Sequence, residues 1–155
     1  MISAHTESIK DAVTHYLSPK AEDKDIIIAN SFAQASEYAT AALMAFNCSN
    51  NLRGIDVVVI GNAPEGQVVH FIGGPWGRYV GVKRALRFKI PEHINHLIIF
   101  SEYPDIAGLG FFEESEKIIY LNHWDAVLET LKGFHGERAK VAVYPNADIQ
   151  YFKEE

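Results

Sequence analysis

The chain has 155 residues, enough for one domain with a sizeable core, and its 48% apolar and 22% charged residues exclude a disordered or fibrous chain. Fourteen Lys and Arg against 20 Asp and Glu give a net charge of −6, so there is no broad cationic face for nucleic acid. The one cysteine, Cys48, can form neither an internal disulfide nor a thiolate metal site by itself, which points to the reducing cytoplasm.

Residues 1–155 read as a single domain of alternating helices and strands. Thr6 to Leu17 places Ile9, Val13, Tyr16 and Leu17 on one helical stripe. The run Asp25 to Asn30 follows, apolar on both faces. Gln34 to Phe46 is an alanine-rich helix that offers Tyr38, Ala41, Ala42 and Met44 to the core. Asp56 to Gly61 repeats the strand form. The segment from Gly61 to Pro91 is less regular, with surplus glycines and a basic cluster of Arg78, Lys83, Arg84, Arg87 and Lys89. A helix is expected from about Glu65 to Ile72, then a loop and a second short helix. His96 to Ser101 is a further strand, and Lys117 to Leu121 a weaker one. Trp124 to Phe134 spaces Val127, Leu128 and Leu131 helically, with Asn122 as cap, Asp125 in the first turn, and Gly133 and Gly136 to end it. Lys140 to Tyr144 is the closing strand. Strands apolar on both faces belong to parallel sheets covered by helices. The expected fold is therefore α/β: an open, mainly parallel, Rossmann-like sheet of about five strands with helices on both faces.

The N-terminus has no apolar core of signal-peptide length. The longest apolar stretches run four to five residues against the ~20 that cross a bilayer, so no membrane partner is expected.

Ligands of open parallel sheets bind beyond the carboxyl ends of the strands. Those ends read Asn30-Ser31-Phe32, Asn62-Ala63-Pro64-Glu65-Gly66, Ser101-Glu102-Tyr103-Pro104-Asp105, Asn122-His123 and Pro145-Asn146. The same residues also serve as ordinary caps and turns, and both readings stand. In Asn62 to His70 a strand runs into a turn and a helix start, whose free amides can hold a carboxylate or phosphate. Glu65 competes for that dipole. His70 reads either as an acid–base group or ligand, or as a structural histidine. Gly73-Gly74-Pro75-Trp76-Gly77-Arg78 matches neither phosphate-loop pattern, and equally suits a lid or interdomain loop from which Arg78 reaches an anion. The seven histidines form no H-E-x-x-H pair, and His93 and His96 stand where a strand begins. No G-x-S-x-G or other nucleophile–base signature points to a hydrolase.

Ile27-Ile28-Ala29-Asn30-Ser31, the strand running into Ala63-Pro64-Glu65-Gly66-Gln67-Val68-Val69-His70, Gly77-Arg78, and the closing Val141 to Ala147 together resemble the C-terminal domain of nickel-dependent lactate racemase. The likeness spans roughly residues 7 to 152. It implies a partner: an N-terminal domain that carries a nickel-pincer nucleotide on a lysine, with histidines as nickel ligand and acid–base pair. It implies a small 2-hydroxy acid as substrate, racemised or epimerised in the cleft between the domains. This chain alone would then bind no cofactor, hold no metal, carry no catalytic residue and be inactive by itself. Asn30, Ser31, Gln34, Asn62, Glu65, His70 and Arg78 are expected to face the cleft, with Gln34 taking the part of the family's glutamine. No lysine follows before Phe46, a departure from the family's pattern. The alternative is a non-catalytic α/β module that binds a small acid, a nucleotide or a partner subunit. Assembly into a homo-oligomer is compatible with either reading.

Overall fold

The computed structural model describes residues 20–31, 38–61, 87–103 and 112–147, with the backbone alone at 38–40. Five strands form one sheet: β1 (Ile26–Asn30), β2 (Ile55–Ile60), β3 (Ile94–Phe100), β4 (Ile118–Leu121) and β5 (Val141–Tyr144). Two helices accompany them, α1 (Tyr38–Cys48) and α2 (Trp124–His135). The strand order is β4-β3-β2-β1-β5 and every pairing is parallel. The expected Rossmann-like α/β layer is therefore the fold.

β-branched residues fill both sides of the central strands because both sides are covered. Ile27, Val57, Val59, Leu97 and Ile99 pack with α1 through Ala41, Ala42 and Ala45. Ile26, Val58, Ile98 and Phe100 pack on the opposite side with Val127 and Leu131 of α2. Handedness explains the division. From β1 to β4 the chain steps across the sheet in one direction, and Phe88, Ile90 and Phe112 of its connections lie on the α1 side. The step from β4 back to β5 runs the other way, so a right-handed crossover must carry α2 over the opposite face. Among the described residues no helix is long and apolar enough to cross a membrane.

Several local expectations need correction. Leu128 is 44% exposed while Val127 and Leu131 are buried, because the edge strand β5 is too short and peripheral to cover that side of α2. Val141 and Val143 are exposed for the same reason, so β5 is apolar on both faces in sequence but covered on one. The N-cap of α2 is His123 rather than Asn122, with extended backbone and no capping bond from its side chain. Asp125 does lie in the first turn. Strands β2 and β3 begin earlier than expected, at Ile55 and Ile94, because Gly54 and Ile55 both donate to the carbonyl of His93. The helix over Thr6 to Leu17, both helices between Glu65 and Pro91, and the Tyr38 side chain lie outside the described residues.

Only one of the two glycines expected to stop α2 does so. Gly136 adopts φ 72° and ψ −148°, a conformation that side chains resist, while its N–H donates to the Lys132 carbonyl at 2.8 Å. Gly133 lies inside the helix with open space around its missing Cβ. The two should respond with opposite sign. Gly136→Ala is expected to lower unfolding free energy by about 1–2 kcal/mol through backbone strain alone. Gly133→Ala is expected to raise it by roughly 0.5–1 kcal/mol. Urea unfolding of both variants checks the pair, and equal signs would contradict this account of the helix end.

Candidate functional site

The ladder continues one residue past the carboxyl ends of three strands. Ser31 N–H donates to Ile60 O at 2.9 Å, Gly61 N–H to Phe100 O at 3.0 Å, and Ser101 N–H to Leu121 O at 3.1 Å. This places Ser31, Gly61, Ser101 and Asn122 in one row across the sheet. Between β3 and β4 the described Phe112 lies on the α1 side, whereas beyond Asn122 the chain enters α2 on the other side. The described parts of the two connections lie on opposite sides of the sheet, and neighbouring strand ends with this divergence are where open α/β sheets form a ligand crevice.

Its walls are ordered by identifiable contacts. The Ser101 hydroxyl donates to Tyr103 O at 2.8 Å and accepts from Tyr103 N at 3.2 Å, which turns the chain sharply after β3. The Tyr120 hydroxyl donates to the same carbonyl at 3.4 Å. Trp124 meets Phe100 edge-on, with ring centroids 5.3 Å apart, and fixes the start of α2 over the end of β3. The amides of residues 124–126 have no helical acceptor, and the His123 side chain does not cap them. Such a terminus attracts a carboxylate, although Asp125 already supplies negative charge in the first turn. The arrangement offers amide donors, and no base held in a fixed tautomer stands beside them among the described residues.

Of the seven expected cleft residues, Asn30 and Ser31 are described. Asn30 donates through Nδ2 to Pro145 O at 3.0 Å, and Ser31 through Oγ to Ile60 O at 3.0 Å. Both therefore tie neighbouring strand ends together at the expected end of the sheet, and Ser31 is buried as it does so. Both are bonds of the kind that caps and turns make. Gln34, Asn62, Glu65, His70 and Arg78 lie outside the described residues.

The cluster that residue spacing missed lies at the other end of the sheet. Asp56, 1% exposed, accepts from His96 Nδ1 through Oδ1 and from His135 Nε2 through Oδ2, each at 2.8 Å. The His96 ring stacks on Phe134 at 4.1 Å and 11°. One buried carboxylate thus joins β2, β3 and the last turn of α2. A signal was available: Asp56 is a lone charge opening an otherwise apolar strand, and a buried charge requires donors.

The groups on the α1 side are quiet. Cys48 is buried and donates to Ala45 O at 3.3 Å. Desolvation pushes its thiol up from 9.0 to about 11, and burial beside Cys48 also raises the Tyr144 phenol. His93, 3.4 Å from Ser49 Oγ, is shifted down by burial first, then by the Arg53 and Lys117 cations. A reactive thiol or an imidazolium at neutral pH is not what these surroundings favour.

No protein-family model, curated protein or solved structure gives a significant match to the chain.

Proposed function

We propose that this chain is the substrate-cleft domain of a lactate racemase-like protein, holding a small 2-hydroxy acid by its carboxylate at the carboxyl end of the sheet. The observation that carries the reading is that the described parts of the β3 and β4 connections diverge beside an α2 N-terminus that the His123 side chain does not cap. The resemblance over Ala63 to His70 and Val141 to Ala147 supplies the substrate class. In this reading the chemistry belongs to a separate N-terminal domain with its nickel-pincer nucleotide. The described residues contain no group of three or more His, Cys, Asp or Glu side chains placed to hold a metal ion, and both imidazoles around Asp56 spend a ring nitrogen on the carboxylate. No step through nickel is therefore assigned to them. Their part is to bind, orient and exclude water. A lone, buried cysteine, Cys48, is compatible with a cytoplasmic setting.

Titration with lactate and malate, followed by amide chemical shifts, is expected to move the signals of Ser101, Tyr103, His123 and Trp124 saturably. Racemisation is expected when a nickel-loaded N-terminal domain is added, and not before. Turnover by this chain alone, or unmoved signals at ~10 mM acid, would end the proposal. The second reading, a binding module without chemistry, rests on the absence of an oriented base at the crevice among the described residues. It is favoured if the signals move and the two-domain mixture stays inactive.

A further inference from the structure

Asp56 joins three elements, and it also fixes which nitrogen of each ring carries the proton. A carboxylate can only accept. His96 must therefore present Nδ1–H to Oδ1, and His135 must present Nε2–H to Oδ2. The basic lone pair of His96 is confined to Nε2, and that of His135 to Nδ1.

The two rings differ in access. The His96 side chain is 31% exposed against 17% for His135. His96 is bonded at Nδ1 and stacked on Phe134, so its plane and its edge are both held. Phe134 is itself exposed, and an oriented imidazole and an apolar ring thus reach the surface side by side. A carboxylate behind Nδ1 with Nε2 directed away is the arrangement that equips a histidine for attack or for proton transfer.

The surrounding charge selects the electrophile. Asp56 is buried, and the last turn of α2 carries the negative end of the helix dipole. Lys132 in that turn is paired with Glu137. A phosphoryl group on Nε2 would bring more negative charge to this corner. An acyl group instead leaves the ring cationic, which the carboxylate and the dipole both favour. Phe134 supplies an apolar neighbour for the acyl chain or for an aryl leaving group.

We infer that His96 is an acyl-accepting nucleophile for activated esters, with Asp56 as its positioning residue. Nε2 attacks the ester carbonyl carbon, and the N–C bond forms as the C–O bond to the leaving oxyanion breaks. The acylated ring keeps its Nδ1 proton on Asp56. Water then cleaves the N–C bond, releasing the carboxylic acid and a proton and restoring the imidazole. The step uses no group of the β3–β4 crevice and acts on esters rather than hydroxy acids, so it is independent of the racemase-like reading.

p-Nitrophenyl acetate tests it on the full chain. A burst of p-nitrophenolate matching the protein concentration is expected, followed by slower release. His96→Gln keeps an N–H donor for Asp56 and should abolish the burst. Asp56→Asn should slow it about a hundredfold. Circular dichroism checks the fold of both variants. Proton–nitrogen correlation spectra of the imidazoles need no variant, and they are expected to show His96 as the Nδ1–H tautomer. Absence of a burst, a burst that survives His96→Gln, an unchanged rate in Asp56→Asn, or an Nε2–H tautomer at His96 would each overturn the inference. So would labelling of His96 by phosphoramidate in place of the ester, which would point to phosphoryl transfer instead.

Discussion

Asp56→Ala is expected to cost about 3 kcal/mol of unfolding free energy, and the same substitution is expected to stabilise a His96→Ala/His135→Ala background. In the native chain the carboxylate is 1% exposed and lives on two imidazole N–H donors. Removing it strands those donors. The His96 side chain, 31% exposed, recovers water more easily than that of His135, 17% exposed, so His135 carries most of the loss. Removing both rings instead leaves a buried charge without a partner, the costliest state of the four. Taking away the carboxylate then brings relief. Urea unfolding of the four proteins reads the cycle. A loss under about 1 kcal/mol for Asp56→Ala, or the same sign in both backgrounds, would show that the cluster is an incidental contact.

Ile98→Ala is expected to cost about 3–4 kcal/mol, whereas Val143→Ala changes stability by less than about 1 kcal/mol. Ile98 is fully buried in β3, an interior strand, on the α2-covered face among Val58, Phe100 and Val127. Neighbours on every side hold the shape of the cavity that alanine would leave. Val143 is 60% exposed on an edge strand and leaves no cavity. Denaturant midpoints should separate the two variants while the slope stays constant. Comparable losses would contradict the strand order.

These two strands mark how far the sequence carries. Leu97-Ile98-Ile99-Phe100 and Val141-Ala142-Val143-Tyr144 follow one pattern, and each is a parallel strand. The pattern encodes extended backbone and apolar character, so strand identity and fold class were legible. It does not encode position in the sheet, which depends on how many neighbours a strand acquires. The centre and the edge consequently look alike until the order is known. Leu128 shows the same limit on a helix: its spacing matches Val127 and Leu131, but the surface opposite it ends too soon. At the candidate site, the sequence reading expects polar residues at the strand ends. Asn30 and Ser31 stand there, with their donors directed at Pro145 and Ile60. The Asp56 cluster escaped a search by spacing because its members are 40 and 79 residues apart. Only the parallel register and the return of α2 bring them together.

The pairing of β1 with β5 has a consequence for biosynthesis. Asn30 and Pro145, joined by a hydrogen bond, are 115 residues apart along the chain. As the polypeptide leaves the ribosome, β1 can find β2 early, but its other flank stays open until the last strand emerges. During that interval Ile26-Ile27-Ile28-Ala29 presents an apolar, unpaired flank to other nascent chains. A message truncated shortly before the codon for Val141 therefore yields not a slightly smaller protein but one with the interior strand β1 turned outward as an edge, ready to pair with strangers.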